Sequence, residues 1–250
     1  MKSLRIVLPA LLACALSLAA AQPPDAPMTK YKFNLPPSAE LSYAITAQQS
    51  GLQLGGSALV HWVVNGKKFS VASEARAMLL GKILDSRSEG IVDDYGLAPL
   101  SFTEKRFRRD RTTTTFDRDA GTIRFTTSEQ TYPLRGGEQD RNSAMWQLIA
   151  VARAAPAKFK PGTEWTFFVA GQRDAEPWTF KVVEREKIST PLGELNTLHV
   201  LKEPAAESGG QHVDIWLSPQ HEWYPVRLRY TEPDADYIEQ TLEKIGKSAS

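Results

Sequence analysis

The residues that could carry out chemistry are few in this sequence. Its four histidines are His61, His199, His212 and His221. His212 and Asp214 are two residues apart and so share one face of a strand, and His221 follows a Ser218-Pro219 turn. This is the nearest approach to a metal-binding pattern, but metal ligands must converge in space and this spacing does not establish convergence. We therefore predict solvated residues here and no metal site.

Carboxylates give the other possible chemistry. Glu184, Glu186 and Glu194 could pair as acid and base, as in glycoside hydrolysis, yet nothing in the sequence fixes their separation. The sequence lacks G-x-S-x-G, H-E-x-x-H, a phosphate-binding loop and G-x-G-x-x-G. A hydrolase would need His199, His212, Asp214 or Glu194 to converge in a cleft. We expect no catalytic residue, no cofactor and no enzyme.

Composition excludes several classes of protein. The 250 residues are 42% apolar and carry 30 Lys and Arg against 29 Asp and Glu, with one cysteine. A nucleic-acid-binding protein normally has a strong positive excess, and a disordered chain is less apolar. A single cysteine excludes an intrachain disulfide and a cysteine-rich zinc site. These numbers indicate a globular protein with a real core and no nucleic-acid partner.

The N-terminal segment is typical of a secretory signal peptide. Lys2 and Arg5 precede an apolar run over residues 6–18, and three alanines follow before Gln22. We predict a signal peptide over residues 1–21 and an exported mature protein. Cys14 offers the alternative of lipid attachment, but the residues that follow it stay apolar where a tether should be polar. No later segment has the ~18 consecutive apolar residues of a spanning helix.

The elements that must position these residues are mostly strands. Residues 22–37 are rich in proline and predict an extended leader, and 38–246 predict one β-rich domain. Period-two alternation recurs along this domain, as in Leu41, Tyr43 and Ile45, and Asn65-Gly66 predicts a hairpin turn. We expect an all-β protein with one helix: an antiparallel meander of ten or more strands, forming a strongly curved sheet or an incomplete β-barrel.

One segment has helical spacing instead. Met145, Leu148 and Ile149 predict a central amphipathic helix over about 142–154; Asp140, Asn142 or Ser143 would cap it, and Pro156 would end it. A lone helix in a β protein must pack its apolar face on the sheet. It would plug the concave side, cover its mouth, or simply complete the core.

The aromatic residues supply the binding hypothesis. Trp62 and Trp216 lie on the opposite strand face from neighbouring aliphatic residues, so both faces of these strands are partly apolar. Such strands suit a curved sheet filled by a helix or a ligand. The candidate ligand-binding residues are Trp62, Met145, Trp146, Leu148, Ile149, Trp165, Phe167, Phe180 and Trp216.

A basic run suggests an anion contact. Residues 105–111 read Lys-Arg-Phe-Arg-Arg-Asp-Arg, and we predict a strand over 101–109. In that strand Arg106 and Arg108 share a face and could contact an anion such as a lipid headgroup. A solvated charged surface is the alternative.

The order of several motifs resembles one bacterial family. They are Gly-Leu-Ala-Pro-Leu-Ser-Phe at 96–102, Gln-Asp-Arg-Asn-Ser at 139–143, Pro-Gly at 161–162, Thr-Pro-Leu-Gly-Glu-Leu at 190–195, Asp-Ile-Trp-Leu-Ser-Pro at 214–219 and Tyr-Pro-Val-Arg at 224–227. Together they resemble the family catalogued as domain of unknown function 3108, over about residues 38–244. The resemblance implies an exported, β-rich protein of Gram-negative bacteria, and it transfers no catalytic residue.

We therefore expect a periplasmic, non-catalytic binding or carrier protein for a hydrophobic or lipid-like envelope component. The expected plan is similar to that of the periplasmic lipoprotein carrier, as an analogy of fold. The alternative is an envelope assembly protein without a small ligand, which would use its sheet edges and residues 105–111 to contact another envelope protein. A hydrolase is the third hypothesis.

Overall fold

Alternating apolar and polar residues build one large sheet. A computed structural model describes residues 29–204 and 210–247, and this part of the chain contains fifteen strands and one α-helix, α1 (Ser143–Ala154). The strands are β1 (Ala39–Gln49), β2 (Leu52–Asn65), β3 (Lys68–Ala77), β4 (Gly81–Asp93), β5 (Gly96–Arg106), β6 (Thr112–Asp117), β7 (Thr122–Phe125), β8 (Ser128–Pro133), β9 (Gln139–Asp140), β10 (Glu164–Ala170), β11 (Ala175–Thr190), β12 (Gly193–Lys202), β13 (His212–Leu217), β14 (Pro225–Thr231) and β15 (Tyr237–Lys247).

The sheet consists of two meanders joined by their ends. Strands β1 to β8 lie side by side in chain order, strands β15 to β9 continue the sheet on the other side, and β1 pairs with β15. Every pairing is antiparallel except that of β9 with β10. The edges are β8 and β9, so the sheet is not closed. The predicted antiparallel meander and incomplete barrel are confirmed.

Predicted turns also occur where their residue types require them. Asn65 pairs with Lys68 across the β2–β3 hairpin, and Gly66 in its turn has a φ of +57°. A left-handed backbone of this kind costs glycine little, whereas other residues are strained there. The Asn-Gly hairpin prediction is confirmed.

A β-bulge in β11 decides which face two glutamates occupy. Val182 pairs with Val200, but Glu184 pairs with His199, so Val183 is an extra residue in the ladder. Without it, Glu184 and Glu186 would point to the same core face as Val182, because side chains alternate with period two. The bulge instead turns both carboxylates to the opposite face, where His199 lies.

The predicted central helix is confirmed, and it is more deeply buried than an amphipathic helix would be. Nine of its twelve residues are buried. At its start, Asp140 Oδ1 accepts hydrogen bonds from the backbone N–H groups of Asn142 (2.8 Å) and Ser143 (2.9 Å). The side chain of Asn142 makes no capping bond and instead contacts Ser86 in β4. Of the three proposed capping residues, Asp140 satisfies the exposed N–H groups of the first turn.

Asp140 itself is fully buried between α1 and the sheet. Its second oxygen accepts a hydrogen bond from the Ser88 hydroxyl of β4. Burial disfavours the charged carboxylate and raises the pKa of Asp140 to about 6, while the hydrogen bonds from Ser88 and from the start of α1 lower it. The helix is therefore attached to the sheet by a buried acid with a raised pKa.

Stacked aromatic rings dominate the core beneath the helix. Trp62 of β2 stacks on Trp146 of α1, with 4.4 Å between ring centroids, and its indole N–H donates to the carbonyl of Pro36 at 3.0 Å. The leader is also held by the backbone bond from Asn34 N–H to the carbonyl of Ala150 at 2.8 Å. Residues 29–37 thus form no strand or helix, but they pack against the end of the core.

One strand prediction is wrong. β5 ends at Arg106 instead of continuing to residue 109, because Arg108 adopts a left-handed φ of +55° and the Arg109 N–H bonds back to the Arg106 carbonyl. Arg106 and Arg108 therefore do not share a strand face, and Arg106 forms an ion pair with Glu104 at 2.5 Å.

The export signals lie outside the described residues. The predicted signal peptide over residues 1–21 and Cys14 both fall in this part of the chain. Within the described ranges, no helix has the length and apolar character needed to cross a membrane.

Candidate functional site

Most of the sequence-predicted ligand contacts are core residues. Trp62, Trp146, Leu148, Ile149, Trp165, Phe167 and Phe180 are all buried in one hydrophobic cluster. Their aromatic rings contact one another and other buried rings. Trp165 stacks on Phe159 with 4.5 Å between ring centroids, and Phe167 contacts Phe180 with 5.9 Å between centroids. Met145 is partly buried at the edge of this cluster. The structure brings these eight residues together around α1, and their role as ligand contacts stays a prediction.

Trp216, the ninth candidate, is partly buried and packs against the same cluster. It sits in β13 on the face opposite to Ile215, and its ring stacks on His199 with 4.7 Å between centroids and an angle of 5°. The sequence prediction placed Trp62 and Trp216 alike, on the face away from their aliphatic neighbours. Both do lie on that face, but in β2 it is the core face, so that Trp62 is buried while Leu59 and Val63 are less buried, whereas in β13 the core face carries Ile215.

A continuous row of side chains crosses seven strands on the core face of the sheet. Pairing partners share a face, so the register alone defines this row. We call it the rim row; it consists of Phe180, Lys202, Val213, Tyr230, Ile238, Ala47 and Leu54. Four members from Val213 to Ala47 are only partly buried, and Leu54 is exposed. The rim row therefore presents an apolar surface that the core does not fully cover.

Lys202 is the one charged member of the rim row. It is only 8% exposed, and its Nζ lies 4.6 Å from the centroid of the Trp178 ring. Within residues 29–204 and 210–247 it has neither a hydrogen-bond nor an ion-pair partner. Burial lowers the pKa of Lys202; the charge of Glu176 raises it, and that of Arg141 lowers it again. Lys202 is therefore a mostly buried lysine, and Glu176 acts on its charge without forming an ion pair with it.

The sequence analysis missed Lys202, although a signal for it exists. Leu198 and Val200 are buried at alternate positions of β12, and Lys202 is the next position in that series. Lysine is rarely buried without a partner, so its occurrence on the core face of a strand marks a candidate site.

Exposed apolar side chains gather on neighbouring hairpins at one end of the sheet. The large apolar residues with the highest exposure in the described chain are Leu79 (88%), Met78 (81%), Leu52 (65%) and Leu80 (57%). The β1–β2 and β3–β4 hairpins are joined by the bond from Met78 N–H to the Gly55 carbonyl at 2.9 Å. Phe107, which is 38% exposed, joins them through a bond from its N–H to the carbonyl of Ile83. Together with Leu54, these residues form what we call the apolar tip.

Basic side chains surround the apolar tip. Lys105, Arg108 and Arg109 belong to the predicted anion-binding run, and the described residues give none of them a carboxylate within ion-pair distance. Arg108 lies over the Phe107 ring at 5.0 Å. Arg106, in contrast, is neutralised by Glu104, so of the two predicted anion contacts only Arg108 has a guanidinium without a carboxylate partner.

The structure brings together three of the four residues that the hydrolase hypothesis required. His199 Nε2 lies 2.8 Å from Asp214 Oδ1, and His212 Nε2 lies 3.7 Å from Asp214 Oδ2. Glu194 is exposed at the β11–β12 turn, five residues from His199, which is about 17 Å along a strand. His221 is also separate, with its Nδ1 3.1 Å from the Ser218 hydroxyl, and His61 lies near Glu40 on another part of the sheet.

The fold and these surfaces define an open, barrel-like antiparallel sheet whose interior holds one helix. The chain belongs to the family described as protein of unknown function (DUF3108), whose family model matches residues 40–243. This confirms the family suggested by the order of the sequence motifs.

One solved structure with a TM-score above 0.5 supports the fold. A beta-barrel-like protein of domain of unknown function DUF1849 from Brucella abortus is 13% identical, with a TM-score of 0.56 over 86% of this chain and 98% of that chain. A DUF1329 family protein from Desulfovibrio piger is 7% identical, with a TM-score of 0.31 over 86% of this chain and 87% of that one. Among curated proteins, no match was found.

Proposed function

We propose that this protein is a non-catalytic binding protein of the cell envelope that holds an amphipathic lipid with an anionic head on the rim row. The observation that carries the proposal is Lys202, a mostly buried lysine without an ion-pair partner among the described residues, on an otherwise apolar surface. The predicted signal peptide supports an envelope location, in the periplasm.

The charge of Lys202 indicates the sign of the ligand head. Burying an ammonium without a partner is unfavourable, because it loses hydration and gains no compensating charge. The contact with Trp178 offsets part of this cost, since a ring face attracts a cation. A carboxylate or phosphate bound at Nζ would offset more of it, and Arg141 adds positive charge to the same region.

The remainder of the rim row suits an acyl chain. Six interstrand spacings separate β11 from β2, which corresponds to about 29 Å of lateral surface. Along this path Val213, Tyr230, Ile238 and Ala47 are partly exposed and apolar. Covering such a surface with a hydrocarbon chain is favourable by about 25 cal/mol per Å² of apolar area.

The apolar tip gives such a protein a means of reaching its ligand. The rim row ends at Leu54, which is itself part of the tip. Exposed leucine and methionine side chains next to unpaired Lys and Arg are typical of surfaces that insert into an anionic bilayer. We propose that the tip docks on such a membrane, so that a lipid can pass between the bilayer and the rim row.

The test is a binding assay with a matched pair of ligands. Displacement of a neutral naphthylamine dye would be measured with palmitate and with hexadecanol, which have the same chain length and differ in charge. We expect both to bind the wild-type protein. Lys202→Met should weaken palmitate binding at least tenfold and leave hexadecanol binding unchanged, because only the anion uses the ammonium.

The control variant is Lys181→Met. Lys181 is exposed on β11, next to Phe180 but on the opposite face, so this substitution should change neither affinity. Absence of dye and palmitate binding to the delipidated wild-type protein would refute the lipid proposal. Equal palmitate affinity in Lys202→Met and wild type would refute the role of Lys202.

The apolar tip also favours the second candidate function, an envelope assembly protein without a small ligand. Its exposed residues could cover a protein surface instead of entering a bilayer. Photocrosslinking from position 79 in living cells distinguishes the two. Crosslinks to lipid support the carrier proposal, and a single dominant protein adduct supports the assembly alternative.

A further inference from the structure

A second cluster of polar side chains lies away from the rim row, on the opposite face of β11, β12 and β13. Glu184, Glu186 and His199 each direct one ligand atom into the same small volume, with all of these atoms within 4.8 Å of one another. Glu184 is exposed, whereas Glu186 and His199 are partly buried. The cluster exists because of the bulge at Val183, which turns both glutamates toward His199.

The orientation of the His199 ring leaves one nitrogen available. Nε2 lies 2.8 Å from Asp214 Oδ1, and Nδ1 faces Glu186, with 3.7 Å to its Oε1. We assign the imidazole proton to Nε2, because a carboxylate oxygen accepts hydrogen bonds and Nε2 is then the donor to Asp214. The lone pair of Nδ1 is then directed at the two glutamates. A histidine ligand held by a carboxylate in this way is the common arrangement in zinc sites.

Neighbouring groups fix the other members of the cluster. The Trp216 indole N–H donates to Glu186 Oε1, and the Trp216 ring stacks on the imidazole of His199. The Arg227 guanidinium lies over the Trp216 ring, 5.7 Å from its centroid, and forms an ion pair with Glu239 at 3.7 Å. Three carboxylates therefore converge on one imidazole. Arg229, the ladder partner of Asp214 in β14, also forms an ion pair with Glu239.

We propose that Glu184, Glu186 and His199 bind a divalent transition-metal ion such as Zn²⁺, with Asp214 as a positioning residue. One imidazole nitrogen and two carboxylate oxygens are a donor set that zinc accepts, whereas Ca²⁺ and Mg²⁺ prefer oxygen alone. Tetrahedral coordination at about 2.1 Å requires donors about 3.4 Å apart, so the glutamate side chains must close by up to about 1.4 Å. Three protein ligands leave the fourth position for water.

The experiment is a calorimetric titration of the metal-free protein with ZnCl₂. We expect one ion per chain, with binding lost in His199→Gln and weakened ten- to a hundredfold in Asp214→Asn, as is typical when the orienting partner of a ligand is removed. Glu186→Gln should also abolish binding, because a neutral amide is a poor zinc ligand. His61→Gln is the matched control, since His61 also lies near a glutamate but on another part of the sheet, and it should bind like wild type.

A spectroscopic measurement separates binding from a change in folding. Cu²⁺ bound at His199 Nδ1 should quench the fluorescence of the stacked Trp216, and this quenching should be absent in His199→Gln. Far-ultraviolet circular dichroism would verify that the variants are folded. The proposal is overturned if wild-type protein takes up no Zn²⁺ at micromolar concentration, or if folded His199→Gln binds as wild type does.

Discussion

The buried acid at the start of α1 makes stability depend on pH in an unusual direction. Asp140 has its pKa raised by burial from the usual 3.8 to about 6. In the folded state it therefore keeps its proton up to a higher pH than in the unfolded state. Folded protein then binds more protons than unfolded protein between these two values, so the free energy of unfolding falls as pH rises through this window.

The substitution that isolates this effect is Asp140→Asn. The amide retains an oxygen that can accept from the Asn142 and Ser143 N–H groups, and its NH₂ can donate to the Ser88 hydroxyl. A difference of about two pH units in pKa corresponds to about 3 kcal/mol. We expect the stability of the variant relative to wild type to rise by about 2 kcal/mol between pH 4.5 and pH 7, because the rest of the ~3 kcal/mol is already lost below pH 4.5, and then to stay constant.

Urea unfolding followed by tryptophan fluorescence, repeated at intervals from pH 4.5 to pH 8, measures this difference. Asp94→Asn is the control, because Lys30 lowers the pKa of Asp94 through an exposed ion pair at 2.8 Å. That group titrates at and below pH 3.8 in both states, so its difference should stay constant from pH 5 to pH 8. A pH-independent difference for Asp140→Asn, or one that falls as pH rises, would refute the reasoning.

Two further predictions concern the core and the apolar tip. Trp62→Ala should destabilise the protein by about 3–5 kcal/mol in urea unfolding, because it leaves a cavity beside Trp146 and removes the hydrogen bond to Pro36. Trp216→Ala should cost less, because Trp216 is partly exposed. A loss of stability below about 1 kcal/mol for Trp62→Ala would contradict this packing. Leu79→Ser should leave the free energy of unfolding unchanged but reduce co-sedimentation with phosphatidylglycerol vesicles about tenfold, since one inserted leucine contributes about 1.5–3 kcal/mol to membrane binding. The control is Leu100→Ser, which changes an exposed leucine of β5 and should bind vesicles like wild type. Equal vesicle binding by the two variants would contradict docking through the tip.

Much of the fold is determined by local patterns that can be read without the structure. Leu41, Tyr43 and Ile45 alternate, and they form the buried face of β1. Met145, Leu148 and Ile149 recur with helical spacing, and α1 forms where they predict it. Both signals depend only on neighbours in sequence, which is why they suffice.

The sites depend on register, which local patterns do not contain. The His199 cluster requires the pairing of β11, β12 and β13, and a single extra residue at Val183 decides that Glu184 joins it. The apolar tip requires that the β1–β2 and β3–β4 hairpins lie side by side at the same end of the sheet. Arg106 and Arg108 were placed on one strand face because nothing in the basic run signals the left-handed backbone at Arg108.

The most direct test of the proposed function is to observe Lys202 itself. Nuclear magnetic resonance of the ¹³C-labelled lysine side chains reports the pKa of Lys202 through its Cε shift, assigned with Lys202→Met. In the delipidated protein, burial should hold this pKa below the usual 10.5, and bound palmitate should raise it, because a carboxylate at Nζ stabilises the charged form. An unchanged pKa at saturating palmitate would contradict the account.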